Sequence, residues 1–471
     1  LDACMMILAF ASGIIGGMTP DQMEKSFAAG AKTMTYSALL VGFANALSVI
    51  MTDANIMHTV INAILSHVVE RFLRYVKVDT QSVHNCTAIP TTEKQKDLAR
   101  MLVKELEELG AADIRLDDAG CVYATIPANC DAKAPVVGFI AHMDTTPDAS
   151  GTNVTPRIIE NYDGKDIVLN AEKDIVMRTE VFEHMLNYVG QDLIVTDGTT
   201  LLGADDKAGV AEIMNMVEYF ATHPEVKHGT IKVGFTTDEE VGKGGKYYDI
   251  GYFNADFAYT FDGQTTGEIN AETFNAADAN VTIHGVQVHP GRAKDKMINA
   301  ITVGRKFDEL VPEAQTCEHV DGREGYYHMT NFNGTVSKTT MKYILRDFSM
   351  EGFLARKAHM RKIADFLNSV YGEGTVELEL VDSYFSMYEV IKPMPIILDH
   401  ARTAIKQEGI VPREVPIRGG TDGSILSGRG LPCPNISTGY QNGHSIYEYV
   451  STEALETCAR ICINLAASFV K

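Results

Sequence analysis

The run Pro135-Val-Val-Gly-Phe-Ile-Ala141 carries no polar side chain. So short and nearly continuous an apolar run predicts a strand buried on both faces, which is the habit of parallel sheets covered by helices. Comparable runs lie at 121–126, 231–236, 257–261 and 435–438. Between them, apolar residues recur at helical spacing over 67–76, 92–109, 208–221 and 452–469. Thr92 followed three residues later by Gln95 reads as a capping box opening the second of these helices, and Gly110 stops it. Strands alternating with helices predict an α/β core with a mostly parallel sheet.

A different rhythm occupies 276–384. Ala279-Asn-Val-Thr-Ile-His-Gly285 alternates, 297–310 reads as a helix, two alternating segments follow near 328–336 and 340–348, then a helix at 351–370 and a strand at 376–381. The order β-α-β-β-α-β is that of a ferredoxin-like α+β unit. The expected organisation is an α/β domain in two parts, 63–275 and 385–471, interrupted by an inserted domain at 276–384. At 471 residues the chain exceeds what one compact core accommodates, which agrees with that division.

Residues 1–62 form a separate hydrophobic segment. The stretches 3–20 and 33–52 lack charged side chains, and the second is long enough to cross a bilayer. The absence of a basic leading region argues against a secretory signal. Gly17-Met-Thr-Pro-Asp-Gln-Met and Leu39-Leu-Val-Gly-Phe-Ala-Asn-Ala resemble part of a bacterial anaerobic dicarboxylate or basic amino-acid carrier. The expectation is a joined fragment, with membrane contact only if it serves as an anchor. The formal charge of −21 argues against nucleic acid as a partner, because phosphate binding needs a basic face. Eight scattered cysteines, none in a CxxC pair, fit a reducing cytoplasm and no structural zinc ribbon.

Residues able to bind metal fall at strand ends, where open α/β sheets build their sites. His142-Met-Asp144 closes one strand and Asp238-Glu239-Glu240 closes another. Asp262 follows a third, His444 lies just beyond a fourth, and Asp205-Asp206 precedes a helix. Each signal is weak alone: a Glu pair is usually a solvated face, and Asp205 and Asp206 could cap the helix. Unrelated caps and surface charges, however, have no reason to converge on strand ends. Two imidazoles with several carboxylates suit zinc, cobalt or manganese, and two cations sharing one carboxylate acidify a water between them. Of the Glu239–Glu240 pair, one can bind metal while the other stays free as a general base. Asp144 is spaced to orient the His142 ring.

Arg71-Phe-Leu-Arg-Tyr-Val-Lys-Val-Asp-Thr-Gln-Ser82, Gly138-Phe-Ile-Ala-His-Met-Asp-Thr145, Thr199-Thr-Leu-Leu-Gly-Ala-Asp-Asp-Lys-Ala-Gly209, Phe235-Thr-Thr-Asp-Glu-Glu-Val-Gly242, Val288-His-Pro-Gly291 and Ile417-Arg-Gly-Gly-Thr-Asp-Gly423 together resemble the tripeptide aminopeptidases of the aminoacylase/carboxypeptidase clan of two-zinc peptidases. The resemblance runs from about residue 68 to the last. It implies two Zn2+ ions per subunit, with Co2+ or Mn2+ as substitutes. The implied ligands are His142, Asp205, Glu240, Asp262 and His444, with Asp205 bridging. Asp144 would orient His142, and Glu239 would carry the proton. The inserted domain would be a lid and dimerisation domain, its His289 reaching a neighbouring subunit's site. Asn299, Arg346 and Arg418 would grip a short peptide, although Arg346 could instead pair with Asp347 at a strand end. Dipeptidases and N-acyl amino-acid deacylases of the same clan share these ligands, and specificity lies in the inserted domain.

Overall fold

The apolar runs become the middle of an eight-stranded sheet in the computed structural model, which describes residues 67–470 together with Thr19 and Lys25. The chain divides into two compact units, Leu1–Ile64 and Leu65–Lys471. The expectations for 1–62, carrier likeness and anchor included, fall outside the described residues. Among the described residues no helix is long and apolar enough to cross a membrane.

In chain order the strands of the large sheet are β1 (Ala112–Leu116), β2 (Val122–Ile126), β3 (Val137–His142), β4 (Ile231–Thr236), β5 (Phe257–Gly263) and β6 (Glu268–Asn270). After four strands of a second sheet, β7 (Asn275–His284), β8 (Tyr326–Gly334), β9 (Lys338–Asp347) and β10 (Val376–Tyr384), come β11 (Arg413–Glu414) and β12 (Asn435–Ser437). The large sheet has the order β1-β2-β4-β3-β5-β12-β6-β11. Its four central strands β4, β3, β5 and β12 run parallel, while β1 and β2 pair antiparallel with their neighbours and β6 pairs antiparallel with β12 and parallel with β11. Every residue of β3 is buried, with Phe139 and Ile140 at 0% exposure. Burying each such side chain contributes about 1.5–3 kcal/mol.

Helices α1 (Gln95–Glu108) and α2 (Ala204–Thr222) belong to the first part of the chain. α2 is buried along most of its length, and Gly209 lets it press onto β5: a Cβ there would stand 2.0 Å from the Phe261 carbonyl oxygen. The expected capping box does not form. Lys94 is the N-cap of α1 without a side-chain bond, and Gln95 instead donates to Asp238 Oδ1 at 2.7 Å.

The second sheet, order β8-β9-β7-β10, is antiparallel throughout and has ferredoxin-like connectivity. Alternate residues Ala279, Val281 and Ile283 of β7 face a core shared with α3 (Ala300–Glu309) and α4 (Met350–Tyr371), including Val303, Phe307, Met360 and Leu367. Asn299 caps α3 by accepting from the amides of Ile301 and Thr302. Ser349 caps α4 through Gly352. A small sheet of Arg157–Ile159, Leu193–Val195, Tyr440–Gln441 and Tyr449–Ser451, together with α5 (Pro395–Gln407), α6 (Asp422–Gly428) and α7 (Thr452–Ala467), completes the part that positions the site.

Candidate active site

The carboxyl ends of β3, β4 and β5 and the turn after β12 bring the strand-end residues to one place. His142 is the last residue of β3, Glu239 and Glu240 follow β4, and Asp262 sits near the end of β5. Asp205 and Asp206 open α2 with non-helical dihedral angles, so both carboxylates stand at its mouth. His444 arrives on a turn in which it and Asn442 take left-handed backbone angles, φ 63 and 56.

The Asp205 carboxylate lies between the two imidazoles. Its Oδ1 is 3.0 Å from His142 Nε2 and its Oδ2 is 3.5 Å from His444 Nε2. Asp262 Oδ1 stands 3.6 Å from the same His142 nitrogen, and Glu240 Oε2 is 2.9 Å from His444 Nε2. The other His142 nitrogen, Nδ1, is 3.0 Å from the backbone carbonyl of Asp144. A carbonyl only accepts, so Nδ1 carries the hydrogen and Nε2 turns a lone pair toward Asp205. Two acceptors facing each other at that distance require positive charge between them, either a proton or a metal ion. Proximity to Asp144, Asp205 and Asp262 raises the His142 pKa despite opposition from burial. Bonds to Asp205 and Glu240 push His444 up to about 12.

The carboxylates are crowded in return. Burial and the charge of Asp205 push Glu240 up to about 8. Burial, reinforced by neighbouring carboxylates, raises Glu239 and Asp206 well above the ordinary range. Burial also opposes ionisation of Asp205, but its bonds to the two histidines prevail and hold its pKa down. Glu240 Oε1 and Asp206 Oδ1 are buried and accept no hydrogen bond. His142, Asp205 and Glu240 offer one set of convergent donor atoms, and His142, Asp206 and Asp262 a second. This excess of buried negative charge, with nitrogen and oxygen donors only, fits divalent zinc, cobalt or manganese.

Asp144 and Asp206, singled out in the sequence, and Glu448, Asp422 and Tyr440, to which sequence reasoning gave no role, hold the donors in place. The Asp144 carboxylate accepts the amides of Glu239 and Glu240 at 3.0 and 3.3 Å, while its own distance to His142 Nδ1 is 3.6 Å. Asp144 thus steadies the ring chiefly through its carbonyl and the glutamate pair through its side chain. Glu448, 2% exposed, accepts the amides of Leu202, Gly203 and Asp205. Asp206 Oδ2 accepts the His142 amide at 3.1 Å. Asp422 accepts the Gly245 amide at 2.6 Å, and Tyr440 hydrogen-bonds Asp205. The Asp205–Asp206 doublet was visible as a motif. Glu448 carries no local signal.

A cleft of about 760 Å³ opens over these groups, with Glu239, Arg346, Tyr384 and Arg418 in its walls. Arg346 lies over the Tyr384 ring at 5.4 Å, and the anticipated alternative partner, Asp347, pairs with Arg356 at 3.3 Å. Arg418 lies over Phe274 and Tyr326 at 5.3 and 5.7 Å. His289 is exposed and Asn299 caps α3; neither lines the cleft of its own chain.

Residues 271–375, which include most of the second sheet, match the peptidase dimerisation domain family. Superposition on the aminopeptidase PepT from Bacillus cereus gives a TM-score of 0.70 at 24% identity, covering 86% of this chain and 99% of that one. A dinuclear metal-binding M20-family peptidase from Bacillus subtilis gives 0.61 at 15%, covering 86% and 98%. A parallel α/β sheet with carboxylates and imidazoles at its strand ends, joined to that dimerisation domain, defines an M20-type peptidase. The chain is 52% identical over 404 residues to the peptidase T of Clostridium novyi (strain NT), covering 86% of this chain and 99% of that protein. To the peptidase T of Caldanaerobacter subterraneus subsp. tengcongensis it is 50% identical over 407 residues, covering 86% and 100%. The chain belongs to the peptidase T family.

Proposed function

We propose that this chain is a zinc-dependent aminopeptidase that releases the N-terminal residue from tripeptides. The observation carrying this reading is the Asp205 carboxylate, which presents one oxygen to each of two imidazoles. His142 with Asp262 would hold one ion and His444 with Glu240 the other, Asp205 serving both. Two divalent ions there would supply the positive charge that polarises a scissile carbonyl and acidifies water.

The chain's own groups then divide the remaining work. Glu239 lines the cleft and is the member of the Glu239–Glu240 pair left without a metal. As a carboxylate it would take a proton from the attacking water and deliver it to the leaving amine. Arg346 and Arg418 line the cleft walls and would pair with a peptide carboxylate. A cleft of about 760 Å³ is of a size that takes a short peptide. The inserted domain, 276–384, would form a homodimer in which His289 and Asn299 serve the neighbouring subunit's site.

Tripeptide hydrolysis with and without a chelator, followed by refilling with zinc, cobalt or manganese, tests the metal dependence. Dipeptides and N-acyl amino acids assayed alongside separate this activity from its clan neighbours. Glu239→Ala should keep its metal and lose nearly all turnover; retained turnover removes Glu239 from the proton-carrying role.

A further inference from the structure

Outside the cleft, the inserted domain gathers a second set of metal-binding side chains. Cys317 and Glu318 follow the short turn Glu313–Gln315, and His328 stands on β8. Cys317 Sγ is 3.2 Å from His328 Nδ1 and 3.4 Å from Glu318 Oε2. The three donor atoms all lie within 4.8 Å of one another. Tetrahedral zinc with bonds of about 2.3 Å to sulfur and about 2.0 Å to nitrogen or oxygen separates its ligands by about 3.5 Å. The two spacings from sulfur are within a few tenths of an ångström of that figure, and the exposed Glu318 side chain, within 4.8 Å of the His328 ring, can close the third by rotation. Cys317 and His328 are half-buried while Glu318 is exposed, so one side remains open to a water ligand.

We propose that Cys317, Glu318 and His328 form an accessory site for a thiophilic divalent cation of the zinc or cadmium class, with its fourth position open to solvent. A nucleophilic or redox-active cysteine fits less well. Burial and the neighbouring Glu318 keep the thiol protonated, whereas a reactive cysteine needs the thiolate. The same Glu318 charge favours a cation, which replaces the thiol proton: the S–H bond breaks, the sulfur binds the metal and the proton leaves to solvent. Loading should therefore fall as pH falls.

The site would close the base of the loop between Cys317 and His328. That loop's carbonyls at Gly322 and Glu324 accept from Arg418, and both Arg418 and Tyr326 line the cleft. An ion at the base would thus brace one wall of the substrate site.

The test uses the full chain, stripped with a chelator and refilled with Co2+. The cleft cluster offers no sulfur donor, so a thiolate-to-cobalt charge-transfer band in the near ultraviolet reports on a cysteine site alone, whatever the peptidase assays give. Wild type should develop the band. Cys317→Ser should lose it and bind one fewer equivalent of metal per chain, while His328→Ala should release that equivalent more readily to chelator. Absence of the band in cobalt-saturated wild type overturns the proposal, as does a band undiminished in Cys317→Ser.

Discussion

Replacing Asp144 by asparagine separates two tasks that the residue performs with different atoms. Its backbone carbonyl receives the His142 ring at 3.0 Å, and asparagine keeps that carbonyl. Its carboxylate receives the amides of Glu239 and Glu240 at 3.0 and 3.3 Å. An asparagine side chain has one acceptor oxygen, so its NH2 group must face one of those amides, donor against donor. The residue is 0% exposed, and neither salt nor solvent screens the loss. One hydrogen bond to a charged group is worth about 1.5–3 kcal/mol. If that energy serves to hold Glu239 in register for proton transfer, turnover drops by about 10- to 150-fold.

The assay is kcat and KM on a tripeptide, with metal content measured on the same sample well below its unfolding temperature. Asp144→Asn should lower kcat within that range, leave KM nearly unchanged and keep its metal. A kcat within about twofold of wild type refutes the reasoning, since a shift that small is below about 0.5 kcal/mol. Loss of metal in proportion to loss of rate refutes it differently, by showing that the carboxylate acts through the ring after all.

Glu448→Ala leaves the amides of Leu202, Gly203 and Asp205 without their acceptor. At about 1–3 kcal/mol for each buried orphan, a stability loss of at least about 3 kcal/mol is expected. Thermal unfolding measures that loss, and dialysis should show faster loss of metal. Arg346→Ala should raise KM for tripeptides by about 10- to 100-fold, the worth of one charge-assisted bond, with a smaller change in kcat. The same variant assayed on tripeptide amides should show little further loss; an equal loss on amides would deny the carboxylate contact. Mixing inactive Glu239→Ala and His289→Ala subunits tests site sharing. In a heterodimer one of the two sites has both residues intact, so random exchange should restore about a quarter of wild-type activity. No recovery despite demonstrated exchange would confine His289 to its own chain.

The legible part of the fold was the part built on one dominant force. The strand expected at 231–236 is β4 residue for residue, and the β-α-β-β-α-β rhythm recurs in the second sheet, because apolar alternation is what those segments bury. The small sheet through Arg157–Ile159 and Leu193–Val195 escaped notice, since three-residue strands are too short to show a period. α5 offered a usable signal in Pro395 at its first turn and apolar residues at 397, 398, 401, 404 and 405, and the reading passed over it. The capping box failed for a different reason. Gln95 exchanges hydrogen bonds with Asp238, whose backbone has a left-handed φ of 60 and whose carboxylate also accepts the Thr91 amide. A local motif gave way to a contact that fixes the residue just before Glu239.

At the site, sequence reasoning named the groups that face the cleft, with Asp144 and Asp206 behind them, but gave no role to Asp422 or Glu448, and geometry explains the division. Donors such as His142, Glu240 and Asp262 must sit where strands end, so a strand pattern announces them. Glu448 acts on backbone amides more than 240 positions away, and a backbone amide looks the same in every residue. Yet the carboxylates behind the cleft permit the ones that face it. Five buried or nearly buried acids, Asp205, Asp206, Glu239, Glu240 and Asp262, surround two imidazoles, and their mutual repulsion favours splaying the loops apart. Asp144, Asp206, Asp422 and Glu448 oppose that by clamping the amides of those loops or their neighbours. The donor positions are thereby set before any cation arrives, and ion binding need not also order the backbone.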